Sequence, residues 1–266
     1  MLFDAHNHLQ APALASHLPR VEMELAAIGL ERAVVNGTCE ADWERVTELA
    51  QAHPWVMPSY GLHPWFVDSR TPDWRERLAA AVGKGGAGVG EIGLDRWIEG
   101  FDFEAQTEVF TWQMGLAARH NLPASLHCLK AWGALWDLLR MGAVPECGFL
   151  LHSYSGPAEM VEPFIKRGAY FSFSGHFLAA RKAAQREVFR GIPIERLLVE
   201  TDAPDMPLPP ERARFALPDQ ADGRMLNHPA NLLAVYEGLA ELRGLTLENL
   251  AAQVAENFQR LFGGRR

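Results

Sequence analysis

Leu2-Phe3-Asp4-Ala5-His6-Asn7-His8 opens apolar and closes on two histidines one residue apart. On a β-strand, side chains at i and i+2 share a face. His6 and His8 therefore project together from the C-terminal end of a buried first strand. Two neutral imidazoles converging on one point make half of a metal site. A hydrogen-bonded histidine beside a chance neighbour is the alternative, in a chain with ten histidines. How the later strands end separates the two readings.

Further short apolar, β-branched or aromatic runs follow the first (2–5), at 33–36, 56–60, 88–92, 123–126, 148–151, 170–173 and 197–199. They make eight candidate strands about 30 residues apart, as a (β/α)8 chain requires. Helical patterns lie between them at 21–28, 42–53, 73–82, 103–120, 132–141, 158–166 and 179–190, and two more, 229–243 and 247–262, are parted by Gly244. In the longest, Val109, Phe110, Met114 and Ala117 recur at helical spacing. Asp42, Asp73 and Thr246 are expected N-caps, and Pro229 suits a first helical position.

The chain of 266 residues is long enough for one large α/β domain or two small ones. No composition break marks a boundary, so 1–266 reads as a single domain: a (β/α)8 TIM barrel with its active site at the C-terminal ends of the strands. The stretch 203–223, rich in proline and charge, follows the eighth strand and is expected on that rim; loops of this length are usually functional or disordered. With 48% hydrophobic and 22% charged residues, the composition is that of a soluble globular protein. No apolar run is long enough to span a bilayer and no basic-then-apolar leader opens the chain, so the expected location is cytoplasmic. Cys39, Cys128 and Cys147 show no C-x-x-C spacing, which argues against a disulfide framework or a thiolate zinc site. A net charge of −8 argues against coating nucleic acid by bulk electrostatics, although bound divalent cations would make the pocket itself cationic.

The strand ends collect one kind of chemistry. His6 and His8 close the first strand, Gly61-Leu62-His63-Pro64 follows the third, and Gly90-Glu91-Ile92-Gly93-Leu94-Asp95 forms the fourth. His127 ends the fifth, His152 the sixth, and Glu200-Thr201-Asp202 the eighth. A parallel barrel gathers these ends on one face. Imidazoles with carboxylates suit Zn²⁺ or Mn²⁺, while Mg²⁺ prefers more oxygen and water. The expected arrangement is two divalent ions bridged by Glu91. His6, His8 and Asp202 complete one site, and His127 and His152 hold the other. A water shared by two cations loses a proton near neutral pH and becomes the nucleophile. Asp202 is placed to accept that proton and return it to the leaving group, so Asp202 and Glu91 are the catalytic candidates.

Around this set, His63 is expected to touch substrate, with turn chemistry before its proline as the alternative. Lys130 is the leading phosphate contact, ahead of Arg96 and Arg181. Trp132, Trp65, Trp97 and Tyr154 are aromatic candidates for the rim, against the default of barrel–helix packing. His176 is divided between rim contact and plain exposure. Glu200 faces opposite to its neighbour, as a barrel-wall residue or one supporting a ligand from behind; Asp4 either orients a histidine or is structural. His17, His53 and His120 receive no role.

The ordered set Phe3-Asp4-Ala5-His6-Asn7-His8, Gly61-Leu62-His63-Pro64, Gly90-Glu91-Ile92-Gly93-Leu94-Asp95, Leu126-His127, His152-Ser153-Tyr154-Ser155-Gly156, Tyr170-Phe171-Ser172-Phe173-Ser174-Gly175 and Leu197-Leu198-Val199-Glu200-Thr201-Asp202-Ala203-Pro204, closing with Asn257-Phe258-Gln259-Arg260-Leu261-Phe262, resembles the TatD-type metal-dependent deoxyribonucleases of the metallo-dependent hydrolase superfamily. The resemblance runs nearly end to end. It implies a TIM barrel and a divalent-metal phosphodiesterase acting on DNA. It also implies ligands at His6, His8, Glu91, His127, His152 and Asp202, with a phosphate contact at His63. Ser153-Tyr154 stands where the family usually has Cys-Phe, Arg96-Trp97 where aromatic pairs are common, and Lys130 near where many relatives carry Arg or Asp. These departures line the rim and bear on substrate preference.

The leading expectation is therefore a metal-dependent phosphoesterase, trimming DNA from its 3′ end or cutting within it. The first rival is a hydrolase of a small amide, lactone or phosphoester on the same scaffold, which the net acidity favours. The second is a metal-bound barrel kept only for binding.

Overall fold

A computed structural model describes residues 1–97, 100, 102–220 and 222–264. Of the domain expected over 1–266, Ile98, Glu99, Phe101, Ala221, Arg265 and Arg266 lie outside the described residues. The strands are β1 (Leu2–Asn7), β2 (Leu30–Asn36), β3 (Val56–Tyr60), β4 (Gly88–Asp95), β5 (Ala124–Leu129), β6 (Phe149–Leu151), β7 (Ala169–Ser174) and β8 (Leu197–Glu200). They form one sheet in sequence order, and each pairs in parallel with the next. The helices are α1 (Leu18–Ala27), α2 (Trp43–Ala52), α3 (Trp74–Gly83), α4 (Phe103–His120), α5 (Trp132–Met141), α6 (Val161–Lys166), α7 (Ala183–Gly191), α8 (Leu232–Arg243) and α9 (Leu247–Phe262). This is the expected (β/α)8 barrel. Among the described residues no helix is long and apolar enough to cross a membrane.

Every residue of β1 and β4 is buried, as parallel strands covered on both faces require. Five of the eight apolar runs, those of β1, β4, β5, β7 and β8, end sooner than their strands do. The fourth run stops at Ile92, but β4 continues to Asp95 because Gly93, Leu94 and Asp95 stay paired with His127, Cys128 and Leu129. Gly93 is required there: a Cβ would lie 2.0 Å from the carbonyl oxygen of His127. The barrel tolerates polar residues at these ends because their side chains meet one another.

Beyond the ladder, β1 and β8 close the barrel. The Asp202 N–H donates to the His6 carbonyl at 3.0 Å and the His8 N–H to the Ala203 carbonyl at 2.8 Å. Asp4 clasps this seam, accepting from the Thr201 hydroxyl (2.6 Å), the Thr201 N–H (3.0 Å) and the Asn7 amide (3.1 Å). The two readings of Asp4 thus resolve as structural: its carboxylate holds strands together and touches no imidazole ring. Asp4→Ala leaves those donors buried and unanswered, so unfolding free energy is expected to fall by about 3 kcal/mol. Denaturant midpoints of the metal-free protein check this; a loss below about 0.5 kcal/mol would remove the clasp from the account.

Two of the expected caps need correction. Thr246 accepts from the Asn249 N–H as foreseen. Asp42 and Asp73 stand at N-cap positions but make no side-chain capping bond. The Asp42 carboxylate instead gathers the backbone N–H and hydroxyl of Thr38. The cap on the longest helix is Asp102, which accepts from Glu104 and Ala105. The segments 158–166, 179–190 and 229–243 begin as 3-10 turns before becoming α-helix. In the rim segment after β8, Leu208 is buried against Gly175, and Asn231 from the start of α8 holds the N–H groups of Arg214 and Phe215.

Candidate metal centre

Glu91 lies at the middle of the barrel mouth, and its two oxygens face different partners. Oε2 is 3.2 Å from His8 Nε2 and 3.5 Å from His6 Nε2. Oε1 is 2.9 Å from His152 Nε2 and 3.2 Å from His127 Nδ1. Asp202 Oδ1 is 3.4 Å from His8 Nε2 and 3.6 Å from His6 Nε2. The six side chains singled out in the sequence are all buried and lie together.

Each of four imidazoles has a group behind it that sets which nitrogen faces inward. His127 directs Nε2 at Asp95 Oδ2 (3.0 Å), leaving Nδ1 toward Glu91. His8 gives its Nδ1–H to the Asn36 carbonyl at 2.8 Å. His152 Nδ1 faces Glu200 Oε1 at 3.6 Å, and that glutamate is buried and held by Ser153 and Ser172. His6 Nδ1 meets the Asn36 side-chain amide at 3.1 Å. The same amide nitrogen donates to the Val34 carbonyl at 3.3 Å, and Asn36 Oδ1 is buried without a hydrogen bond; the orientation of this amide sets which His6 nitrogen carries the proton. His63 differs. Its Nδ1 accepts the Trp65 N–H at 3.2 Å, so the neutral ring carries its proton on Nε2, 3.5 Å from Glu91 Oε1. That nitrogen sits among grouped potential donors with Glu91 and His127, but it is a hydrogen-bond donor rather than a lone pair.

Electrostatics follow from crowding. Burial opposes ionisation of Glu91, but His63, His152 and His6 outweigh it and hold the carboxyl well below its usual range. For Asp202, burial again opposes, and the hydrogen bond with His8 and the charges of His152 and His6 bring it down. Despite burial, His8 is raised by Asp202 and Glu91, and His152 by Glu91 and Glu200. Burial lowers His63 to about 4, leaving it neutral. A field that draws protons onto buried imidazoles also draws cations, and binding a cation releases those protons. Ligand atoms able to share a cation fall in overlapping groups, His6 with His152 and Asp202, His6 with His8 and Glu91, and His63 with Glu91 and His127, a nitrogen-and-carboxylate set that suits divalent metal.

The remaining candidates spread around the mouth. The Lys130 ammonium lies 4.1 Å from the centre of the Trp97 ring. The Arg96 guanidinium stacks on Phe103 at 3.8 Å. His176 is half-buried and brought to about 4 by burial and by Lys182 and Arg181. Tyr154 is not on the rim: it is fully buried, its hydroxyl donates to the Pro157 carbonyl, and Trp132 packs edge-on against it at 4.7 Å. The preceding turn directs the side chain inward, which strand periodicity alone does not reveal. Asp95, quoted in the fourth-strand motif without a role, was missed. It shares a strand face with Glu91, and that even spacing was the available signal.

A family model described as TatD related DNase matches residues 3–263. The chain is 31% identical to an uncharacterized metal-dependent hydrolase, YabD, of Bacillus subtilis (strain 168), over 98% of this chain and 99% of that protein. It is 30% identical to the 3′-5′ ssDNA/RNA exonuclease TatD of Enterobacter lignolyticus (strain SCF1), over 98% and 99%. The crystal structure of YjjV, a TatD homologue from Escherichia coli K12, superposes with a TM-score of 0.89 at 28% identity, covering 99% of this chain and 98% of that one.

Proposed function

This chain belongs to the TatD related DNase family of metal-dependent hydrolases, and on that premise we propose that it is a two-metal phosphodiesterase that shortens nucleic-acid strands. The observation that carries the reading is Glu91, whose two oxygens face separate pairs of inward-turned imidazoles. His6, His8, Asp202 and Glu91 Oε2 would hold one ion, and His127, His152 and Glu91 Oε1 the other. Zn²⁺ or Mn²⁺ suits this nitrogen-rich set better than Mg²⁺. Such ions would supply Lewis-acid charge at the phosphate and would lower the pKa of a bound water.

The chain's own groups do the rest. Asp202, kept ionised, takes the proton from the attacking water and returns it to the departing sugar oxygen as the P–O bond breaks. The Nε2–H of His63 donates to a non-bridging phosphate oxygen, where charge grows in the transition state. Residues from β1 to the end of β8 contribute, so 1–266 is read as one working domain.

Metal-loaded protein incubated with end-labelled single-stranded DNA is expected to produce a ladder of shorter strands that Asp202→Ala protein does not. Intact strand at high enzyme concentration would count heavily against the reading. The net charge of −8 favours one second reading, a hydrolase of a small phosphoester, amide or lactone. Turnover of such a compound while DNA stays whole would promote it. His127→Ala is expected to lower bound metal by about one ion per chain, with the other site retained. Elemental analysis after dialysis reads this directly, and an unchanged count would refute the division of ligands.

A further inference from the structure

Asp95 does more than face His127. The same oxygen that meets His127 Nε2 accepts the indole N–H of Trp65 at 2.7 Å, and the other oxygen accepts the backbone N–H of Trp97 at 2.5 Å. Trp65 and Trp97 are 43% and 61% exposed, and they are the exposed aromatic side chains among the described residues. One buried carboxylate thus ties the Trp65 indole and the backbone that carries Trp97 to the metal-facing histidine. The Trp65 ring lies 5.0 Å from His63 and 6.2 Å from His127 between centroids. Lys130 takes a left-handed conformation (φ 53°) at the end of β5 and sets its ammonium over Trp97. Even with the ammonium beside it, the Trp97 ring stays mostly exposed.

We propose that Trp65 and Trp97 form a platform on which an unpaired nucleobase stacks beside the scissile phosphate, while Lys130 pairs with a neighbouring phosphate. This rests on the nuclease reading and assigns these side chains to its contact with the strand. A ring face accepts any base, so the platform discriminates by strand state rather than sequence. A base held in a duplex keeps its faces against its neighbours and has none to offer. A cation beside an indole supplies both contacts that a nucleotide needs, charge for the phosphate and a π-face for the base.

The test is fluorescence anisotropy with an end-labelled oligothymidylate of about ten nucleotides, measured in the Asp202→Asn background so that the probe stays whole. Trp97→Ala is expected to raise Kd about tenfold, with Trp97→Phe staying within about threefold of the parent. Abasic residues in the probe should cost the parent a similar factor but cost Trp97→Ala little, since the same contact is already gone. Lys130→Gln should flatten the slope of log Kd against log salt by about 0.7. Equal losses for Trp97→Phe and Trp97→Ala would overturn the platform. So would a blunt duplex bound as tightly and with the same dependence on Trp97. A concentration-dependent dimer abolished by Trp97→Ala, with oligonucleotide affinity unchanged, would assign the indoles to a protein contact instead. Cutting by the native protein with Trp97-independent binding sinks the platform alone; Trp97-dependent binding without cutting sinks only the nuclease reading.

Discussion

Glu91→Gln is expected to lower kcat/KM on labelled single-stranded DNA by about four orders of magnitude and to weaken retention of both ions. The argument is geometric. Each Glu91 oxygen lies within 3.5 Å of imidazole nitrogens that other groups have turned inward. An amide keeps the shape but turns one of those oxygens into an N–H₂ group aimed at a cation. The carboxylate's charge also goes, and it is that charge that most offsets four converging imidazoles. Glu200→Gln is the informative contrast. Glu200 is equally buried, but it stands behind His152 and is held by Ser153 and Ser172. Its loss should cost about 10- to 100-fold, as for a group that orients a ligand. Steady-state kinetics with metal analysis on both proteins distinguish them. Retention of both ions by Glu91→Gln, with activity within tenfold of native, would remove the bridging role.

Asp202→Asn is expected to lower kcat by about three orders of magnitude with KM nearly unchanged. Its carboxyl is held ionised by His8, His152 and His6 against the pull of burial, so at neutral pH it has a site free to take a proton. Asparagine keeps a carbonyl oxygen for an ion but cannot take a proton. The loss should therefore fall on the chemical step, and the ion facing Glu91 Oε1, His127 and His152 should remain. Single-turnover measurements at saturating substrate isolate that step. A fall of less than tenfold would mean that another group carries the proton.

Much of this was legible along the chain, for a local reason. Burial in a parallel barrel writes itself as short apolar runs, and helices write a 3.6-residue period; 103–120, 132–141 and 247–262 match α4, α5 and α9 in full. Histidines and carboxylates at the strand ends stand out because an apolar run seldom stops on one without cause. Caps were less legible. Asp42 has the right residue type in the right place, but the neighbouring Thr38 competes for its carboxylate. Tyr154 follows a strand-end histidine as a rim residue would, yet the chain turns it into a cluster with Trp132, Phe164 and Phe171.

From the amino-acid order came the eight strands, the helices that cover them and the side chains able to grip cations, because each depends on residue chemistry and on spacing within one element. Only the folded barrel decided which nitrogen of each ring looks inward, that Asp95 joins the Trp65 indole to His127, and that Asp4 closes the seam. Those features belong to pairs of groups far apart in the chain, 197 residues for Asp4 and Thr201. An imidazole's inward face is chosen by whatever stands behind it, and no spacing along one strand records that neighbour.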